Sequence, residues 1–136
     1  MKVDEWLKQE KASRKKPSHH EEELQIACVN WFKWNYPQYE YLLHHSPNGG
    51  RRNKIEAGKF KRMGTRAGFP DLILCMASGD GQYHSLGIEM KYGKGSQSSG
   101  QVNYETIFEQ AGNAYRVCRS LDEFARIIRS YIDCEG

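Results

Sequence analysis

The stretch from Gly68 to Lys91, GFPDLILCMASGDGQYHSLGIEMK, constrains the chain more than any other. It holds two short apolar runs, and each brings an acidic residue with it. Asp71 opens the first run, predicted as a strand from Leu72 to Met76. Gly79-Asp80-Gly81 supplies positions suited to a tight connection, and Tyr83 to Lys91 reads as the returning strand of an antiparallel hairpin. Asp71 then sits opposite the far end of its partner strand, where Glu89 and Lys91 are.

Side chains alternate along a strand, so Glu89 and Lys91 point to one face while Ile88 and Met90 point to the other. Gly87 shares the charged face and is expected to leave it open. Two carboxylates and an ammonium converging at a strand end suit a hard divalent cation, which takes oxygen ligands and keeps waters that a phosphate can displace. Such a site hydrolyses phosphodiesters. An ordinary surface ion-pair cluster would use the same three residues, and the rest of the chain must decide between the two.

The spacing of Asp71 and Glu89-Met90-Lys91 resembles the PD-(D/E)XK nuclease pattern, here with a literal Pro70-Asp71. The flanks narrow it. Pro47-Asn48-Gly49-Gly50 runs into basic residues, Arg66-Ala67-Gly68-Phe69 precedes Pro70-Asp71, and Gln101 follows the triplet at the start of a helix. Together these are similar to the VRR-NUC family of virus-type replication and repair nucleases, over about residues 21–132. The resemblance implies a restriction-endonuclease-like α/β sandwich, a small mixed sheet flanked by helices. It also implies that Asp71, Glu89 and the backbone carbonyl of Met90 hold one or two Mg²⁺ or Mn²⁺ ions. Lys91 then stabilises charge on the phosphate or orients the attacking water. Small relatives of this type are associated with phages and with resolving Holliday junctions as homodimers, in the cytoplasm of a bacterium or an infected host. The symmetry is apt, since a four-way junction needs two matched cuts. A flap-cutting or less selective endonuclease fits the same residues. So does a DNA-binding module without catalysis, although all three charged residues are in place.

Composition agrees with one domain, residues 21–136, behind a flexible arm over residues 1–20. A chain of 136 residues is long enough for a core and too short for two domains. With 38% hydrophobic and 12% aromatic residues it is not disordered in composition, and no apolar run approaches a membrane span. Four cysteines, Cys28, Cys75, Cys118 and Cys134, lack CxxC spacing, so neither a zinc site nor a disulfide framework is expected. A zinc deaminase or hydrolase would need such a ligand set.

Charge is segregated. From Arg51 to Arg66 seven basic residues face one acid, a local +6 within a chain of net +3. Arg51, Arg52, Lys54, Lys59, Lys61, Arg62 and Arg66, on and around a predicted helix from Lys54 to Met63, are the footprint of a phosphate-backbone binder. Asn48, Gly49 and Gly50 before it allow the backbone close to phosphate. Lys94, in the Gly/Ser-rich loop from Tyr92 to Ser99, is a further contact, and Lys11, Arg14, Lys15 and Lys16 of the arm are solvated or touch DNA. That loop is expected to be mobile.

The remaining elements follow from periodicity. Glu21 to Trp34 is predicted as a helix with Leu24, Cys28, Trp31 and Phe32 on one face. Glu21 leans toward that face and Glu22 does not. In the family a helix-borne Glu adds a ligand or orients water, and Glu21 with Gln25 matches its E…Q spacing, with Glu23 as substitute. The three Glu residues would equally complement the helix dipole. Tyr39 to His45 reads as a strand, in which only one of His44 and His45 can face the site. Ser99 is expected to cap a helix from Gly100 to Ala111 that turns Val102, Ile107 and Phe108 partly inward. Gln101 on its first turn either bonds a catalytic side chain or phosphate, or is an ordinary polar start. Ala114 to Cys118 reads as a buried strand. Ser120-Leu121-Asp122-Glu123 reads as a capping box for a last helix carrying Phe124, Ile127, Ile128 and Tyr131.

Overall fold

A computed structural model describes residues 17–47 and 54–135. Residues 1–16, which hold most of the expected arm, and residues 48–53, with Asn48, Gly49, Gly50, Arg51 and Arg52, lie outside the described residues. Helix α1 spans Pro17–Asn35, a 3-10 helix Pro37–Leu42, β1 Leu43–His45, α2 Lys54–Met63, β2 Leu72–Leu74 and β3 Leu86–Met90. Helix α3, Ser99–Gln110, crosses to β4, Ala114–Cys118, and α4 spans Leu121–Asp133. The four strands form one mixed sheet in the order β1-β2-β3-β4, antiparallel except for the parallel β3–β4 pair. Helices flank it, which is the α/β sandwich expected.

One face of the sheet carries the core. Leu72, Leu74, Leu86, Ile88 and Met90 are all buried there, packed with Cys28 and Phe32 of α1 and with Phe124 and Ile128 of α4. The i, i+4 spacing of Cys28 and Phe32 and of Phe124 and Ile128 puts each pair on one helix face. Helix α1 begins at Pro17, four residues earlier than periodicity suggested, where proline's fixed φ suits a first turn.

Several boundaries move for identifiable reasons. Tyr39 to His45 is not one strand: Pro37 starts a 3-10 helix, and only Leu43–His45 pair with β2. The tight hairpin connection is instead the long loop of residues 75–85. Asp80 accepts from the Ser78 hydroxyl and the Gln82 N–H there, so side chains rather than strand pairing order the backbone. The cap of α3 is Ser98, not Ser99. Its hydroxyl accepts from the Gln101 N–H at 3.2 Å and the Gln101 side chain accepts from the Ser98 N–H at 2.8 Å. The predicted box at Ser120 forms only half. Glu123 N–H donates to Ser120, but Glu123 Oε1 accepts from the Arg119 N–H.

Helix α3 also faces differently from expectation. Val102 and Ile107 are exposed, and of the three predicted inward residues only Phe108 is buried. Gln101, Tyr104 and Glu105 lie half-buried instead. The helix covers a polar site, so its inward stripe is mixed.

Candidate active site

Antiparallel pairing of Leu72 with Ile88 carries on to set Asp71 opposite Glu89 at the end of the strands. Paired residues share a face, so both carboxylates project toward α3, away from the core. Asp71 Oδ2 accepts the Met90 N–H at 2.8 Å, which fixes its orientation against β3. On the other side, the Asp71 carbonyl accepts from Ser46 N–H at 3.3 Å and from His45 Nδ1 at 2.7 Å. Of the two histidines, His45 therefore supports Asp71 through its backbone.

Glu89 is only 1% exposed. Its Oε2 accepts from Gln101 Nε2, while its Oε1 is buried with no hydrogen-bond partner. Burial, with Asp71 alongside, pushes its pKa up to about 9, and Lys91 pulls the other way. A carboxyl this deeply buried beside a second one keeps its proton when no cation is present, and a divalent cation in place of that proton would meet oxygens of both.

Gly87 does not leave the face open. A Cβ there would lie 2.8 Å from Pro70 Cγ and 2.9 Å from Phe108 Cε2, so those side chains fill the space and press α3 onto the sheet. Gly68 makes the second close approach. With φ +85 it brings its backbone so near that a Cβ would lie 2.5 Å from the carbonyl of Gly100 and 2.9 Å from Gln101 N. The segment from Arg66 to Asp71 and the start of α3 are thereby locked together, which places Gln101 over Glu89.

Glu21, half-buried on α1, meets the Tyr92 backbone N–H and lies close to Lys91 and Asp71. Burial raises its pKa, the Tyr92 N–H and Lys91 oppose that, and Asp71 adds to it. Glu23 is elsewhere, paired with His19 at 2.8 Å on the exposed side. The carboxylates do not close into a ready ligand cluster: among the described residues no three His, Cys, Asp or Glu side chains converge as one.

Three contributors escaped the sequence. Arg119 Nη1 donates to the carbonyls of Gly93 and Gly95, at 3.0 and 2.5 Å, and His20 stacks on Tyr92 with centroids 4.5 Å apart. The loop after Lys91, expected to be mobile, is therefore gripped from both ends of the sequence. Tyr115, opposite Gly87 in β4, is buried on the carboxylate face with no partner for its hydroxyl, and burial beside Glu89 raises its pKa. No local signal marks these residues, because each contact joins segments far apart in the chain.

The described basic residues of the charged segment are solvent-facing. Lys54, Lys59, Lys61 and Arg62 are exposed along α2, and Lys94 is exposed beside the site. Arg66 is exposed too, but its Nη1 donates to the Lys61 carbonyl at 3.1 Å and closes the end of α2.

No protein-family model matches the chain, and no curated protein matches it. A solved structure described as "VRR_NUC domain protein" does. It is 34% identical, superposes with a TM-score of 0.72, and the match covers 83% of this chain and 88% of that one. The chain belongs to the VRR_NUC family. In this VRR_NUC domain, the segments that carried the sequence resemblance are those that build the carboxylate pair. Among the described residues no helix is long and apolar enough to cross a membrane.

Proposed function

We propose that this VRR_NUC protein is a metal-dependent endonuclease that hydrolyses phosphodiester bonds in branched DNA, with four-way junctions as its substrate. The observation that carries the reading is the buried, unpartnered Oε1 of Glu89 facing Asp71. Oxygen donors of this kind fit Mg²⁺ or Mn²⁺, held by Asp71, Glu89 and the Met90 carbonyl, with Glu21 at the margin. Such an ion, when bound, neutralises the phosphate and supplies Lewis-acid assistance to its hydrolysis.

The protein's own residues do the positioning. Asp71 is fixed by the Met90 N–H, and Glu89 by Gln101, so neither carboxylate must reorganise when substrate arrives. Lys91 projects from the same face as Glu89, close to both Glu21 and Glu89, and its ammonium offsets charge that builds on the phosphate. Helix α2 and Lys94 grip the flanking backbone without reading bases.

Two matched cuts across a junction call for two copies related by a twofold axis. The outer face of α1 and the 3-10 helix supports that: Ile26 is 60% exposed, Trp34 83% and Tyr41 94%. These are the exposed apolar side chains that a twofold pairing would cover.

Incubating the purified protein with labelled four-way, flap and linear duplex DNA, in Mg²⁺, Mn²⁺ or EDTA, tests the reading. Paired symmetric cuts at the junction that vanish in EDTA support it. Metal-independent binding without cuts would instead select a DNA-binding module.

A further inference from the structure

Beside the carboxylate pair the sheet carries a second recess. A half-open cleft of about 500 Å³ is lined by His44, Phe60, Met63, Arg66, Phe69 and Tyr104, within the size range of small-molecule sites. The strand register shows where it opens. His44 opposes Ile73, and Ile73 opposes Gly87. Residues 44 and 46, 71 and 73, and 87 and 89 therefore share one face. The cleft lies on the face that bears Asp71 and Glu89, one strand toward the β1 edge. Strands are spaced by about 4.8 Å, so whatever occupies the cleft adjoins whatever sits at the carboxylates.

Its lining combines two chemistries. Phe69 and Tyr104 present rings packed edge to face, 5.6 Å apart, and Met63 adds an exposed apolar side chain. Arg66 stands at the rim with its guanidinium fixed by the Lys61 and Thr65 carbonyls, at the end of the helix that carries Lys59, Lys61 and Arg62. Rings beside a fixed guanidinium suit a flat aromatic group joined to a phosphate, and the basic helix favours a polyanion over a peptide. A paired base is unsuitable, because its faces are stacked and its edge is occupied.

Resting on the nuclease reading above, we propose that this cleft receives one unpaired nucleobase next to the scissile phosphate. The substrate class is then DNA in which a strand has left the duplex at the cut, as at a flap or an opened junction centre. Helix α2 holds the backbone, and the cleft scores whether the neighbouring base is available to leave the stack.

The test uses branched DNA carrying 2-aminopurine at an unpaired position beside the branch, against the same probe within a fully paired duplex, with binding read in EDTA. The unpaired probe is expected to change its emission on binding, and the paired one is not. Phe60→Ala and Tyr104→Leu are expected to weaken binding of the branched DNA about tenfold and of the duplex by less than about twofold. Met63→Trp narrows the cleft from an exposed position and is expected to give the same selective loss without unfolding. Equal losses on both DNAs would overturn the proposal. So would unchanged emission, as when another part of the chain or a second copy fills the cleft. Because binding is scored without metal, a protein that seats the base but cuts nothing would sink the hydrolytic reading and leave this one standing.

Discussion

Gln101 donates from Nε2 to Oε2 of Glu89 while its Oε1 accepts the backbone N–H of Ser98. One side chain therefore both starts helix α3 and holds the buried Glu89 carboxyl. Helix capping and site assembly are coupled: the helix cannot shift its first turn without letting go of Glu89.

Replacing Gln101 by Ala is expected to lower cleavage about 10–100-fold, the range seen when a group orienting a ligand is removed. Ser98→Ala separates the two duties. It removes the cap, at about 1 kcal/mol of stability, yet leaves the bond to Glu89. Thermal melts with kinetics on both variants check this; equal activity loss in the two would reduce Gln101 to a helix cap.

Gly68→Ala is expected to cost roughly 1–3 kcal/mol, from the strained φ and the clash with Gly100. Activity is expected to fall further than stability explains, since α3 must retreat and carry Gln101 with it. Denaturant titration and cleavage at a temperature where the variant is folded measure both parts.

The Glu89 pKa makes stability depend on pH in a defined sense. With its value raised from 4.5 to about 9, folded cation-free protein keeps a proton that the unfolded chain releases. The native state then binds more protons across this interval, so stability falls as pH rises from about 5 toward 9. Melts in EDTA are expected to show that decline, and Glu89→Gln to flatten it. A wild-type profile level over the same window would contradict the buried, proton-holding carboxyl.

Lys91→Ala is expected to reduce cleavage about 100–1000-fold, as for the loss of one preorganised electrostatic group. DNA binding is expected to survive, because the proposed backbone contacts lie with Lys59, Lys61 and Arg62 on α2, away from Lys91. Gel-shift and cleavage assays side by side decide it; wild-type cutting would remove Lys91 from the site.

Much of this was legible in the chain because it is local. The short apolar runs at Leu72–Leu74 and Leu86–Met90 mark the strands, and their antiparallel hairpin pairing brings Asp71 to Glu89. The helical spacing of Cys28 with Phe32 and of Phe124 with Ile128 likewise marks the core helices. What could not be read depends on packing between distant segments. Gly87 looked like an opening and is a contact surface for Pro70 and Phe108. Val102 and Ile107 looked inward by hydrophobicity, yet α3 turns Gln101 to the sheet because a buried carboxyl needs a donor more than the core needs two aliphatic side chains. Arg119 and Tyr115 reach the site across the β3–β4 parallel pairing, which no short-range pattern announces.

Anomalous diffraction from crystals soaked in manganese addresses the central claim most directly. A peak is expected between Asp71 and Glu89, about 2.1 Å from a carboxyl oxygen of each, with Oε1 of Glu89 among the ligands. No peak there, with the Glu89 side chain still held only by Gln101, would contradict the account.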